Sequence, residues 1–182
     1  MTMNDRTKIT QLGRNPEQHF GTVNTPIYTT STILFPTIEA YEAAEYETSH
    51  HYPPEKTPKV DLSYGISGTP TNFALSNAIS ELDGSAGHSL LFPSGLSAIA
   101  IVLQSLLNPG DHLLVCDSVY GPTRRFCNKE LSRFGIETTY YDPMIGEQIE
   151  TLIRPNTRLI FVEAPGSITF DMQDIPLITH IA

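Results

Sequence analysis

Leu90-Leu91-Phe92-Pro93-Ser94-Gly95-Leu96-Ser97-Ala98-Ile99 is an apolar run that breaks at a Pro-Ser-Gly turn and resumes as helix-compatible sequence as far as Leu107. It predicts a strand over 88–92, a tight turn, and a helix over 94–107. Asn108-Pro109-Gly110 then reverses the chain, and His112-Leu113-Leu114-Val115-Cys116 re-enters as a second apolar strand over 112–117. The N–H groups at the start of such a helix lack intrahelical partners and lie at the positive end of its dipole, so they hold phosphate well. Tyr120, just past the second strand, offers a flat ring to whatever the phosphate carries. The combination points to a site for a phosphorylated aromatic cofactor. Read blandly, Ser94 caps a turn, Gly95 relieves crowding, and Tyr120 is a rim aromatic with its hydroxyl in water.

Outward from this stretch the same rhythm continues. Pro122 opens a helix over 122–134, a strand follows at 136–141, and a short helix lies near 146–153. Arg158-Leu159-Ile160-Phe161-Val162-Glu163 gives a strand over 158–163, and a helix begins around Ile175. Strands separated by helices predict an α/β fold, a mainly parallel sheet with helices on both faces. Ligands of such sheets bind beyond the carboxyl ends of the strands. That rule places Ser94-Gly95-Leu96, Tyr120 and Glu163-Ala164-Pro165-Gly166-Ser167 along one rim. Glu163 reads either as an acid or as a residue that closes its strand by hydrogen bonding. Arg124-Arg125 reads as a solvated helix face.

Upstream, Thr71 is the expected N-cap of a helix with Leu75, Ala78, Ile79 and Leu82 on one face, ending at Gly84. Residues 1–34 show no sustained period, and Pro16, Gly21, Pro26 and the Thr/Ser cluster at 29–32 predict an extended arm lying on another surface, such as a second subunit. A short helix is expected over Thr37–Tyr46, and prolines keep 47–61 a polar loop. The expected organisation is an arm and loop over 1–62 making oligomer contacts, followed by an α/β domain over 63–182. The chain stops in an apparent helix at Thr179-His180-Ile181-Ala182, with neither a Gly stop nor a charged last turn, which predicts an incomplete domain.

Composition narrows the function. A net charge of −9 disfavours nucleic acid and anionic membrane surfaces as partners. No apolar run nears the roughly 20 residues that span a bilayer, and the first residues lack an apolar signal core, predicting a cytoplasmic protein. Cys116 and Cys127 read as packing residues rather than a disulfide framework. His50-His51 is the only adjacent histidine pair, and no His-x-x-x-His or Cys-x-x-Cys spacing occurs, so no metal is expected. Gly-x-Gly-x-x-Gly, the P-loop and the nucleophile elbow are all absent.

Taken in order, several segments resemble the pyridoxal-phosphate-dependent Cys/Met metabolism enzymes, the family of cystathionine lyases and synthases. They are Tyr64-Gly65-Ile66-Ser67-Gly68-Thr69-Pro70-Thr71, Glu81-Leu82-Asp83-Gly84, Phe92-Pro93-Ser94-Gly95-Leu96-Ser97-Ala98-Ile99, Gly110-Asp111-His112, Tyr120-Gly121-Pro122-Thr123, Arg154-Pro155-Asn156-Thr157 and Glu163-Ala164-Pro165-Gly166-Ser167-Ile168-Thr169. Gly13-Arg14 and Val23-Asn24-Thr25-Pro26-Ile27-Tyr28-Thr29-Thr30-Ser31-Thr32 also fit. The resemblance implies an aspartate-aminotransferase-like (fold type I) large domain and pyridoxal 5'-phosphate as cofactor. It implies that Gly95 and Leu96 N–H groups, with Ser94 and Ser167, hold the cofactor, that Tyr120 stacks on its ring and assists proton transfer, and that Tyr64 reaches the phosphate of a neighbouring subunit in a homo-oligomer. Gly166-Ser167-Ile168-Thr169 looks more like the β-lyase version of its segment than the γ-lyase and synthase version. The implied reaction is therefore carbon–sulfur cleavage of cystathionine to homocysteine, pyruvate and ammonia, as in methionine biosynthesis and transsulfuration.

Two departures accompany the likeness. The family usually carries an arginine two residues after the tyrosine matching Tyr64, and Ile66 stands there, unable to make a charge-assisted grip on phosphate. The chemistry also needs a Schiff-base lysine and an acid at the pyridine nitrogen. The four lysines are Lys8 in the arm, Lys56 and Lys59 in the Pro-rich loop, and Lys129 in a helix; none stands at a strand end near the phosphate turn. The resemblance places both the acid and the lysine beyond Ala182. The chain alone is therefore expected to be inactive, and a non-catalytic phosphate-binding or subunit-capping module, or a γ-lyase or γ-synthase of the same family, are the rival readings.

Overall fold

His112-Leu113-Leu114-Val115-Cys116 has no solvent-facing side: all five residues are buried. A strand covered on both faces reads as a continuous apolar run, and β1 (His112–Cys116) is the central strand of a three-stranded sheet. β2 (Glu137–Tyr141) and β3 (Thr157–Phe161) flank it, both parallel, in the order β2-β1-β3. The computed structural model describes residues 5–49, 62–84 and 89–182, and the chain divides into two compact units, 1–91 and 92–182.

The second unit holds the sheet. Three helices of the first unit, α1 (Asp5–Gln11), α2 (Ile38–Ser49) and α3 (Pro70–Asp83), come earlier; α4 (Gly95–Leu106) precedes β1, α5 (Gly121–Phe126) follows it, and α6 (Ile175–Ile181) closes the chain. Leu103 and Leu107 from α4 and its end pack with Leu113 to Cys116 of β1, with Cys127, Leu131 and Ile136, and with Tyr141, Ile149 and Ile178. Strand order decides where a ligand can sit. The β1-to-β2 crossover leaves β1 on one side, and the β2-to-β3 crossover returns to the other. The carboxyl ends of β1 and β3 are therefore the topological switch point of the sheet, beside which ligands of such folds bind.

The parallel α/β architecture agrees with the expectation from sequence, with local differences. Residues 89–92 form no strand; Leu90 and Leu91 are exposed. Ser89 instead donates its N–H to Ser80 Oγ at 2.8 Å and accepts from the Ser76 hydroxyl, so its backbone is engaged by a helix rather than a ladder. The helix after Tyr120 changes hydrogen-bond register: α5 gives way to a π-helical turn at Cys127–Leu131. The segment near 146–153 is a 3₁₀ helix, Gly146–Leu152. Arg125 is exposed, but Arg124 is not simply solvated: it pairs with Asp117 at 2.6 Å and lies 4.0 Å above the Tyr140 ring.

In the first unit, α1 (Asp5–Gln11) and a 3₁₀ turn at Pro16–His19 occupy part of the expected arm. α2 (Ile38–Ser49) and α3 (Pro70–Asp83) follow. The cap of α3 is Thr69 rather than Thr71. Pro70 takes the first helical position, where its missing N–H costs nothing, and Thr69 donates both its N–H and its hydroxyl to Asn72 Oδ1. Thr71 has other work: its hydroxyl donates to Pro26 O at 2.9 Å and accepts from Tyr28 N–H at 2.8 Å. The extended arm is thereby laid on α3 of its own chain. Lys56, Lys59 and His50-His51 lie outside the described residues.

Gly65 makes the second attachment of the arm, donating its N–H to Ser31 O at 2.7 Å. A Cβ there would run into the Thr30 carbonyl oxygen and stand 2.9 Å from Ser31 Cα. These are backbone atoms that cannot swing aside. Gly65→Ala is expected to destabilise the chain by about 2 kcal/mol, whereas Gly121→Ala, with nothing within 4 Å, should stay within about 0.5 kcal/mol of the parent. Urea unfolding of the two variants checks the contrast.

Candidate functional site

α4 begins in a manner that leaves its first amides available. Ser94 is extended, at φ −156° and ψ 156°, and its Oγ accepts the Ser97 N–H at 3.2 Å. Ser97 answers with its own hydroxyl, which accepts from Ser94 N–H at 3.1 Å and donates to Ser94 O at 2.7 Å. This reciprocal cap satisfies the third amide of the helix and fixes the entry of the chain. The Gly95 and Leu96 N–H groups take no part in it. Ser94 and Gly95 are exposed, and an added Cβ on Gly95 would meet nothing within 4 Å. A twelve-residue helix thus ends in open, donor-bearing backbone, the electrostatic setting for an anion.

Tyr120 caps α5, which packs against α4. Its side chain is half exposed while its backbone is held. The Tyr120 N–H donates to both carboxylate oxygens of Glu163, at 3.1 and 3.2 Å. Two residues before Tyr120, Ser118 O accepts the Ser167 N–H at 2.7 Å. The loops after β1 and β3 are therefore bound to each other across the switch point. Gly166 permits this approach, since a Cβ there would strike the Ser118 hydroxyl and stand 2.6 Å from Ser118 Cβ. Beyond it the loop closes on itself: Phe170 N–H donates to Gly166 O at 3.0 Å and Gly166 N–H to Asp171 O at 2.8 Å. Ile168 and Phe170 adopt left-handed φ values of 68° and 59°, costly for a β-branched and an aromatic residue.

Beneath this loop lies a buried relay. Tyr141 OH, at the end of β2, donates to Gln173 Oε1 at 2.7 Å, and Gln173 Nε2 donates to Glu163 O at 2.7 Å. Burial pushes the Cys116 thiol up, against hydrogen bonds from Gln173 and Ser118. Burial also raises Cys127, to about 11, and Tyr140, to about 12. Both thiols are buried and protonated at neutral pH, fitting the packing role read from sequence. Beside the relay a cavity of about 440 Å³ is lined by Asp117, Tyr140, Asp142, Pro143, Met144 and Asp171; its three carboxylates suit no phosphate. Among the described residues no three metal-type ligands converge.

Ser94, Gly95, Leu96, Tyr120 and Ser167 all fall within the second unit, at helix starts or loops on the carboxyl side of the sheet. Tyr64 belongs to the first unit, where it is half exposed and its O accepts from Ser67 N–H at 2.9 Å; Ile66, two residues on, is exposed. Glu163 emerges as the strand-closing residue of its two readings, and what it closes against is the Tyr120 amide. Gln173 gave no sequence signal: one glutamine ten residues beyond a glutamate carries no recognisable spacing. The donor set fits the non-covalent part of pyridoxal phosphate, with free amides for phosphate and an exposed aromatic face for a ring. The covalent part finds no residue here, because the single lysine in 92–182 is Lys129, exposed on the π-helical turn.

A profile described as "Cys/Met metabolism PLP-dependent enzyme" matches residues 6–182. The chain is 48% identical over 176 residues to a putative cystathionine beta-lyase of Rhizobium johnstonii, covering 97% of this chain and 41% of that protein. It is 39% identical over 181 residues to an L-alanine/L-glutamate racemase of Wolbachia pipientis, covering 99% of this chain and 44% of the relative. Among solved structures, a cystathionine gamma-lyase from Lactobacillus plantarum complexed with L-serine superposes with a TM-score of 0.79 at 28% identity, over 99% of this chain and 42% of that one. The chain thus spans less than half the length of these relatives.

Proposed function

This chain belongs to the Cys/Met metabolism pyridoxal-phosphate-dependent enzymes, and we propose that it supplies the phosphate-and-ring side of the cofactor site of a cytoplasmic, homo-oligomeric cystathionine β-lyase-like carbon–sulfur lyase. The observation that carries this is the α4 start, where Gly95 and Leu96 amides stand outside the Ser94–Ser97 cap on the same side of the sheet as Tyr120. Pyridoxal phosphate, when bound, supplies an electron sink for negative charge at the substrate α-carbon. The residues of this chain bind and orient. Gly95 and Leu96 N–H groups with Ser94 would hold the phosphate, Tyr120 would stack on the pyridine and assist proton transfer through its hydroxyl, and Ser167 would contribute from the loop after β3. Tyr64 serves a neighbouring subunit. Cleavage of cystathionine to homocysteine, pyruvate and ammonia is the proposed reaction of the complete assembly, on the ground of the Gly166–Thr169 segment and the Rhizobium relative. The γ-lyase and racemase relatives are also similar to this half, so residues outside it share with the Gly166–Thr169 segment in the choice of reaction. The rival, a non-catalytic phosphate-binding or capping module, draws on the single lysine of 92–182.

Pyridoxamine 5'-phosphate, which has no aldehyde to react with surface lysines, is the probe. With no tryptophan in the chain, tyrosine fluorescence reports its binding. Saturable binding, competed by inorganic phosphate, is expected. Gly95→Pro removes one donor while keeping the helix, since proline suits the first helical position and Ser94 is already extended as a pre-proline residue must be. It should weaken binding about tenfold. Unchanged affinity in Gly95→Pro, or no saturable binding in the parent, would end the proposal.

A further inference from the structure

We infer that Glu163 is a positioning residue for Tyr120, holding the tyrosine by its backbone so that the ring has one place on the rim. The inference rests on the cofactor-side reading above for its purpose, and on geometry for its existence. Tyr120 is the N-cap of α5 and has no side-chain cap of its own. The Glu163 carboxylate comes from the segment after β3 and takes the Tyr120 N–H with both oxygens, at 3.1 and 3.2 Å, across 43 positions of sequence. A carboxylate accepting a backbone N–H makes a charge-assisted bond, stronger than a neutral one. It also places negative charge at a helix start, where the dipole favours it.

The backbone that carries the carboxylate is itself held. Gln173, buried to 6% exposure, donates to Glu163 O, and Tyr141, at 1%, anchors the glutamine. Tyr141 ends β2, Glu163 follows β3, and Tyr120 follows β1. Through the Glu163 residue the relay therefore joins the ends of all three strands and finishes on the backbone N–H of Tyr120, whose ring is half exposed. Ser167 N–H bonded to Ser118 O braces the same two loops. A glutamate that served only to close its strand would need none of this depth. The arrangement instead sets the angle at which the tyrosine leaves the sheet edge.

The test compares Glu163→Ala and Glu163→Gln with the parent chain by NMR, without any ligand. In Glu163→Ala, amide exchange at Tyr120 should accelerate about tenfold or more, and the Tyr120 ring signals should move toward those of free tyrosine. Cys127, buried and with its N–H donating to the Arg124 and Thr123 carbonyls at the end of α5, should keep its protection. Glu163→Gln retains one acceptor oxygen and should restore most of both signals. With pyridoxamine 5'-phosphate, Glu163→Ala should weaken binding about tenfold in the parent background and hardly at all in Tyr120→Ala. Unchanged Tyr120 exchange and ring signals in Glu163→Ala would overturn the inference, as would equal losses of affinity in both backgrounds. If the parent bound no pyridoxamine phosphate, the cofactor reading would fall, while the exchange and ring signals would still decide whether Glu163 positions Tyr120.

Discussion

Incubated with pyridoxal 5'-phosphate and reduced with borohydride, the 182-residue chain is expected to give no stoichiometric adduct at a single lysine, and to release neither pyruvate nor homocysteine from cystathionine. Covalent chemistry needs an amine within bonding distance of a ring anchored at the α4 start. The second unit contains one lysine, Lys129, exposed on the turn between Cys127 and Leu131. Lys8 lies on α1 in the other unit, and Lys56 and Lys59 sit among prolines. A lysine poised for catalysis has its pKa depressed by burial or a neighbouring charge; an exposed one reacts slowly and reversibly. The expected turnover is therefore lower than that of a complete family member by at least about 10⁶-fold, the low end of what enzymes add to an uncatalysed reaction. Pyridoxamine phosphate should bind all the same, because amides and an aromatic face need no lysine. Peptide mapping after reduction reads the first result and a coupled pyruvate assay the second. One uniquely labelled lysine together with cystathionine turnover would overturn the expectation.

The contrast between a legible cradle and an illegible brace has a physical cause. The α4 start was readable because its determinants are contiguous: an extended serine, a glycine and a second serine three residues on form a cap by themselves. β1 was readable because burial on both faces leaves no polar alternation. The 88–92 run looked like a strand for the same reason, but strands need ladder partners, and the hydrogen-bonding groups of Ser89 were claimed by Ser76 and Ser80 on a helix. Thr71 and Thr69 are near-equal cap candidates locally. What separates them is Pro70 at the first helical position and a contact from Thr71 to Pro26, 45 residues away. The Glu163–Tyr120 bond spans 43 residues and the Tyr141–Gln173 bond 32. Local periodicity encodes nothing about such pairs until the sheet order is known. The π-helical turn is illegible in another way, since a single shift of hydrogen-bond register barely alters the apolar spacing on which a helix is read.

His112→Ala is expected to cost about 3 kcal/mol of stability and to flatten the pH dependence of folding just below pH 6.5. His112 starts β1 and is fully buried, yet both ring nitrogens are satisfied: Nδ1 lies 2.8 Å from Thr157 Oγ1 on β3, and Nε2 lies 2.9 Å from Thr139 Oγ1 on β2. One side chain thus links all three strands near their amino ends. Alanine leaves a cavity and takes one partner from each of two hydroxyls, which keep their bonds from Arg154; two lost hydrogen bonds at about 1 kcal/mol each plus incomplete collapse give the stated magnitude. Burial is the first cause of a lowered His112 pKa, and the Arg154 guanidinium adds to it; Glu137, paired with Arg154 at 2.5 Å, opposes it. The sign follows from proton binding. Below the ordinary value of 6.5 the unfolded chain takes up a proton at this histidine before the folded chain does, so stability rises with pH through that window. The contribution is complete above 6.5 and is lost as pH falls from there through the lower folded value. Glu137, whose carboxyl is held below 4.5 chiefly by its hydrogen bond to Arg154, titrates in a more acid window. Urea midpoints of the parent and of His112→Ala, taken from pH 7.5 down to pH 5, should therefore converge as pH falls. Parallel curves would show that His112 stays neutral throughout, or titrates equally in both states, and would remove it as the acid-sensitive tie of the sheet.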